Sequence, residues 1–572
     1  MPGPIPPITT AEFFQYLQRC IPPTGWSNRI AVANSGGPDS TALLFLLNAL
    51  LQERAALKFP PEQYKPGSPR STPGVPREVV SVHVNHSLQD AASTMECSAI
   101  QTAERLGIRH STEKIPWGEH PFPSRKEVDE KVAREARYHR LFEAMQDFRT
   151  NVVAFGHHAD DQVETSIMRM SQGSSSRGLA AMRPVRRWGM GKRDQDYYSF
   201  GAEGMRSWIV RPLLPVSKDR ILATCEANKL DYVNDPTNFQ PGLTLRNGVR
   251  DILSPKAQDS LSYITTKRQT KIKIEPYIEQ LRAMVPNIHP REQLHEAVRL
   301  YGIRLEEAEL QATNVLMRAR MPSPASTLLL KSRELAEAVD EDVRIALIRR
   351  CLRFVSHGPW GSVWSEASGD RDTLRRVAQL LWPNEPRPPP SELPIDPKTG
   401  MPEDPRRPFS AGGGVVVYPA VIKLRDGSIR FRSPEEGEVE GWIFARSPPY
   451  TKPRAPPGSY AIADVTDQLL AARAAGQKEY RVLYDYRFEL CFDLSRQLPQ
   501  DVRDELEMRR ARIVIHPDTK WVLPKVMLEG KRTAKCIGRY LWDLPGWKDT
   551  QRRPLKLQGW IDMRFVRSLE AV

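Results

Sequence analysis

Six residues, Ser35-Gly36-Gly37-Pro38-Asp39-Ser40, constrain this chain more than any other feature, because they join an apolar run, residues 30–33, to a helix-like stretch, residues 41–51. A strand, a tight loop and a helix start are predicted there. Two adjacent glycines let the backbone take positive φ and turn several N–H groups inward, while Ser40 and Thr41 add hydroxyls at the positive end of a helix dipole. Such a loop suits a polyphosphate. It is not a Walker loop, since neither GxxxxGKS nor GxxxxGKT occurs in the chain. A plain strand-to-helix turn capped by Asp39 or Ser40 reads the same from these six residues alone.

The rest of the first half alternates strand-like and helix-like segments. Apolar, β-rich runs fall at residues 79–84, 152–156 and 209–214, with helical stretches near 40–53, 91–106, 126–148, 160–170 and 217–229. This alternation predicts an α/β fold, a doubly wound parallel sheet over residues 1–254, with ligands at the carboxyl ends of its strands. A Pro-, Gly- and Ser-rich insertion at 58–77 is expected to lie on the surface. Residues 255–382 read as a mainly helical domain and 383–410 as a Pro-rich linker. Residues 411–572 read as a basic C-terminal module, a small α+β region with strand-like runs at 414–417, 429–432 and 512–515.

At 572 residues two or three domains are expected. The formal charge of +14 favours an anionic partner, nucleic acid above all. No apolar stretch approaches the roughly 20 residues that a bilayer requires, and the first residues carry neither a signal core nor an Arg-rich presequence, so an intracellular protein without membrane contact is expected. The six cysteines are scattered with no CxxC, which predicts a reducing compartment and no cysteine-bound metal.

Four further clusters fall where such a sheet places its ligands. His83 and Asn85 share one face at the end of the second strand, where a strand-capping histidine would look the same. Arg134, Arg137 and Tyr138 lie on adjacent sides of a helix and would clamp phosphate or face solvent. The sharpest cluster is His157-His158-Ala159-Asp160-Asp161, followed by Glu164, at a strand end and over the first helical turn. Asp161 and Glu164 share a face at spacing three, and Asp160 and Glu164 are adjacent at spacing four. A helix N-terminus favours acids in any case, yet two histidines with three carboxylates exceed capping needs and suit Mg²⁺ or an amine nucleophile. Arg246 and Arg250, one turn apart, make an anion clamp or an exposed basic turn.

The segments SGGPDS, VHVNHSL, ARxxRY, HHADDQVET with Gly178-Leu179 and Met182, RPLL and RNGVR occur in the order found in the tRNA(Ile)-lysidine synthetases. Over residues 28–250 the chain therefore resembles that family of the PP-loop ATP pyrophosphatase superfamily. The resemblance implies ATP as co-substrate with Mg²⁺, and tRNA(Ile) with a CAU anticodon and free L-lysine as partners. The wobble cytidine would be adenylated at its C2 oxygen, and lysine would then displace AMP. It implies ATP binding by Ser35, Gly36, Gly37, Pro38, Asp39, Ser40 and His83, with Asp39 a ligand of Mg²⁺. His157, Asp161 and Glu164 would receive lysine and assist loss of its proton, and Arg137, Arg246 and Arg250 would hold phosphate or adenylate. Basic, aromatic-interleaved stretches at 531–542 and 551–560 would grip the tRNA backbone.

The chain departs from the family at Gln172-Gly173-Ser174-Ser175, where Arg-Gly-Ser-Gly is usual. The insertion and the unfamiliar C-terminal half suggest a eukaryotic, fungal version, with the mitochondrion as the expected place of work and the cytoplasm otherwise. Two alternatives stand beside this reading. Another PP-loop enzyme, acting by thiolation or amidation, is disfavoured by the lack of CxxC and of a Cys-centred glutaminase-like domain. A non-catalytic RNA-binding relative is disfavoured because every polar residue assigned a role is present.

Overall fold

A computed structural model describes residues 4–56, 75–88, 92–174, 176–191, 200–234, 245–253, 263–265, 271–286, 290–383, 395, 406–423, 429–430, 438–449, 461–508, 510–540 and 559–571. Ser175, most of the 58–77 insertion, most of the 383–410 stretch and residues 551–558 lie outside that set.

Ile30, Ala31, Val32 and Ala33 are all buried, which places β1 (Arg29–Ala33) inside a sheet covered on both faces. β2 (Glu78–Asn85) and β4 (Val152–Ala154) pair with it in parallel on either side. β3 (Arg109–Lys114), β5 (Val185–Arg187) and β6 (Trp208–Val210) complete the order β3-β2-β1-β4-β6-β5. The sheet is parallel except at one edge, where β5 runs antiparallel to β6. β3 has no apolar pattern, being RHSTEK, and forms because the main chain of β2 offers it a partner from Val80 to Asn85. Backbone pairing there overrides propensity.

Side-chain alternation decides which helices cover which face. Ile30 and Val32 share a cluster with residues of α1 (Thr10–Gln18), α2 (Pro38–Ala56) and α8 (Lys218–Ala227). Ala31, Ala33 and Val153 instead meet residues of α4 (Glu130–Asp147). Helix α1 starts at a reciprocal cap between Thr9 and Glu12, the pattern expected at a helix N-terminus. The remaining elements of this half are α3 (Ala92–Arg105), α5 (Ala159–Ser171), α6 (Ser176–Leu179), α7 (Gly201–Arg206) and α9 (Leu245–Leu253). Strand order reverses at β1, since β2 leads one way and β4 the other. The crevice beyond β1 and β4 is therefore where such a sheet binds its ligand.

Helices α10 (Glu275–Ala283) and α11 (Pro290–Ala319) pack on α5 through Val163, Ile167, Ile278, Leu281 and Leu294. The helical segment thus rests directly on the helix that carries the acidic cluster. Beyond it, strand Leu328–Lys331 pairs with strand Glu438–Arg446, and one apolar cluster joins helix residues such as Leu347 and Leu374 to Val417 and Phe444. The Pro-rich stretch at 383–410 therefore connects two parts of one core. Two further antiparallel sheets, built from residues 463–539 and 479–565, share a second C-terminal cluster around Phe488, Phe492 and Ile513. Among the described residues, no helix is long and apolar enough to cross a membrane.

Candidate active site

The loop after β1 is shaped from within. Asn34 Oδ1 accepts from Gly36 N at 3.0 Å and from Ser40 Oγ at 3.2 Å, while Ser35 N donates to Ser40 Oγ at 3.1 Å. Ser40 is buried, so its hydroxyl holds the loop instead of facing outward. Gly36 has φ +77°, and a Cβ there would run into the carbonyl oxygen of Met95 in α3. Only glycine meets both conditions. The first helical bond of α2 is Thr41 N to Gly37 O at 3.0 Å, which leaves the amides of Asp39 and Ser40 as orphan donors of the helix N-terminus. His83 closes the wall, its Nδ1 2.9 Å from the carbonyl oxygen of Asn34. The acceptor is a carbonyl, so Nδ1 carries the proton, and burial lowers the pKa of the ring.

The turn after β4 abuts this loop. A Cβ on Gly156 would lie 2.8 Å from the carbonyl carbon of Asp39, so the two strand-to-helix turns pack backbone against backbone. His158, buried as the N-cap of α5, has Nε2 3.7 Å from Asp39 Oδ1 and 3.5 Å from Asp161 Oδ2, with Nδ1 3.6 Å from Asp160 Oδ2. Burial opposes its protonation, but these three carboxylates win and raise its pKa. Asp160 turns away from the pocket, accepting from the backbone N–H of Lys218 at 2.9 Å and lying 3.3 Å from His295 Nε2 on α11. The Lys218 ammonium reaches Asp39 Oδ1 at 2.5 Å.

Asp161 and Glu164 do share a face, as their spacing predicts, and both are buried. Arg250 pairs with Glu164 through two bonds, Nε to Oε1 at 2.7 Å and Nη2 to Oε2 at 3.0 Å. Arg250 Nη2 is also 3.6 Å from Asp161 Oδ1, and Arg246 Nε is 3.8 Å from Glu164 Oε2. The two arginines of α9, expected to clamp an anion, thus sit on the carboxylates themselves. Burial raises the pKa of Glu164 against the pull of Arg250, whereas His158 and His157 lower that of Asp161 despite its burial.

His157 stacks on Phe155, with centroids 5.5 Å apart at 16°, and its Nδ1 accepts from Arg211 Nε at 3.2 Å. Burial and Arg211 push its pKa down to about 3. The resemblance implies that His157 assists in removing a proton, but this neutral ring presents Nε2–H and has its lone pair already engaged. Arg137 lies over Phe155, 5.8 Å from the ring centroid. Lys218, His295, Asn34 and Arg211 carry no role in the sequence reading. Only Arg211 had a signal, as the first residue of RPLL.

Among the described residues no cluster of three or more His, Cys, Asp or Glu has the arrangement to cage a metal ion. Asp39 beside the loop fits Mg²⁺ of the kind that is held by one carboxylate and the phosphates of a nucleotide. All six cysteines are free.

Residues 10–257, which carry the doubly wound sheet, the loop after β1 and the acidic helix start, match the PP-loop domain family. Within that class the chain is similar to tRNA(Ile)-lysidine synthases. It is 34% identical to the one from Bradyrhizobium sp. over 239 residues, 42% of this chain and 54% of the relative. It is 30% identical to the one from Bacillus subtilis over 230 residues, 40% of each chain. Against the Bacillus cereus enzyme it is 31% identical over 242 residues, 42% of each chain. The chain spans about half the length of the curated relatives it matches.

Proposed function

We propose that this protein uses ATP to join free lysine to C2 of the wobble cytidine in an isoleucine tRNA with a CAU anticodon, forming lysidine. The observation that carries the reading is the shared wall at Gly156 and Asp39, which sets a phosphate loop against a buried carboxylate pocket in a segment similar to tRNA(Ile)-lysidine synthases. In the first step the cytidine O2 attacks the α-phosphorus of ATP, and pyrophosphate leaves. In the second the lysine side-chain amine attacks C2, the C–O bond to AMP breaks, and one proton must go from nitrogen to a base.

Each step has residues suited to it. The amides at Asp39 and Ser40 point where pyrophosphate charge accumulates, and Lys218 is placed to meet a phosphate once Asp39 takes another cation. Mg²⁺, when bound, neutralises the charge released as the α–β bond breaks. Asp161 and Glu164 attract the cationic amine and accept its proton, since an ammonium cannot attack. Arg246 and Arg250 hold those carboxylates and are the groups that an arriving lysine displaces or shares. A eukaryotic, fungal origin and a mitochondrial place of work, or a cytoplasmic one, belong to the same proposal.

The test is mass analysis of nucleosides from isoleucine tRNA incubated with the full chain, ATP and lysine. A lysine adduct on cytidine is expected only when all three are present. Dependence on sulfur or glutamine in place of lysine would move the protein to another branch of the PP-loop enzymes.

A further inference from the structure

We propose that an arginine and aromatic rim beside the carboxylate pocket seats the backbone and one unstacked base of single-stranded RNA. The proposal rests on the reading of a tRNA substrate given above. Arg134 and Arg137 come from α4, Arg169 from α5, Arg186 from β5 and Arg211 from the turn after β6. The charges of Arg134, Arg137, Arg186 and Arg211 act on Tyr138, and those of Arg134 and Arg186 act also on Arg169 and Arg211. Among the described residues, none of the five is ion-paired with a carboxylate. Arg169 bonds the carbonyl of Ala181, Arg186 that of Arg187 at 3.3 Å, and Arg211 that of Arg183 at 3.0 Å along with His157. Arg134 and Arg137 lie over the rings of Tyr138 and Phe155, at 5.7 and 5.8 Å from their centroids.

Arginines close by that hold the fold together are treated differently. Arg177 and Arg183 both reach Glu309 at 2.7 Å, and Arg187 is paired with Glu570. Gathering five cations without a counter-charge costs free energy that an incoming anion repays. Aromatic rings lie among these guanidinium groups. Tyr138, Phe155 and His157 form a ladder of near-parallel rings, 5.7 Å apart at 20° and 5.5 Å apart at 16°. Phe155 is buried within it, while Tyr138 and His157, at its two ends, are mostly buried and keep only part of their surface exposed. Ring faces interleaved with guanidinium groups are how proteins hold unpaired nucleotides without reading their sequence. ATP has its own loop on the β1 side. The ladder starts at His157, next to Asp161, so a base entering the pocket would carry its neighbouring phosphates onto the arginines.

The experiment measures binding of an anticodon stem-loop RNA to the full chain by fluorescence anisotropy across a salt series, with ATP binding measured in parallel. Arg134 and Arg186 are the exposed members, so Arg134→Ala/Arg186→Ala is the variant least able to disturb folding. Its RNA affinity at about 0.1 M salt should fall about tenfold or more, and its slope against log salt should become shallower by roughly 1 to 2. ATP affinity should not change, and Arg134→Lys/Arg186→Lys should restore most of the salt slope. Unchanged RNA affinity and slope would overturn the proposal, as would a parallel loss of ATP affinity, which would assign the rim to the nucleotide. The outcome is independent of lysine transfer: RNA binding lost in the variant supports the rim even if no lysine adduct forms, and RNA binding kept overturns it even if the adduct does.

Discussion

Arg211 donates its Nε–H to His157 Nδ1 across 3.2 Å, and because a guanidinium has no lone pair, His157 must carry its own proton on Nε2. Burial and Arg211 hold the folded pKa near 3, while an unfolded imidazole titrates near 6.5. The unfolded chain therefore binds one more proton in that window, so the stability due to this residue is complete above pH 6.5 and is lost as pH falls toward 3. His157→Gln should flatten that part of the stability curve, as read by urea unfolding at stepped pH.

Asp161 and Glu164 are expected to act after adenylation. Asp161→Asn and Glu164→Gln should slow lysine transfer by about 10²- to 10⁴-fold while leaving most tRNA-dependent pyrophosphate release intact. Single-turnover measurement of both products separates the steps. Equal loss of both would place the two carboxylates in ATP chemistry instead.

Lys218 meets Asp39 at 2.5 Å and faces the phosphate loop from the start of α8. Lys218→Met should raise KM for ATP about tenfold, the worth of one charge-assisted contact, with KM for lysine unchanged. A rise in both constants would mean that the pocket as a whole had shifted.

Gly156 has no room for a methyl group, since the Asp39 carbonyl oxygen lies 2.9 Å from its would-be Cβ. Gly156→Ala should cost about 1–3 kcal/mol and raise KM for ATP, because the displaced group belongs to the phosphate loop. Gly302, inside α11, meets nothing within 4 Å, so Gly302→Ala should be neutral or stabilising by up to about 1 kcal/mol. Thermal melts of the two proteins make the comparison.

In the C-terminal half, buried Asp485 holds two buried arginines, Arg487 Nη2 at 2.6 Å and Arg446 Nε at 2.8 Å. Asp485→Asn leaves both cations without their anion and should cost about 3–5 kcal/mol by denaturant unfolding. A smaller cost would mean that water reaches the pair.

The alternating apolar runs at 30–33, 79–84 and 152–156 were enough to specify the parallel sheet, because strands buried on both faces must be continuously hydrophobic. They were also enough to put the loop at Ser35 to Ser40 and the acidic turn at Asp161 and Glu164 each at the carboxyl end of a strand. What local sequence cannot carry is pairing across the chain. The edge strand β3 has no pattern of its own, and the strand at Leu328–Lys331 pairs with the strand at Glu438–Arg446, more than a hundred residues later.

The same holds for the site. Spacing placed Arg246 and Arg250 on one helical face, but only the packing of α9 against α5 turned them onto Glu164 and Asp161. Lys218, His295 and Arg211 became part of the site because three other elements end at the same crevice. Sequence by itself determined which residue types stand at each strand end, since periodicity and loop chemistry act over a few residues. Tertiary structure alone decided which charges meet and which ring nitrogen keeps its proton, because those follow from distances between segments that the chain brings together only on folding.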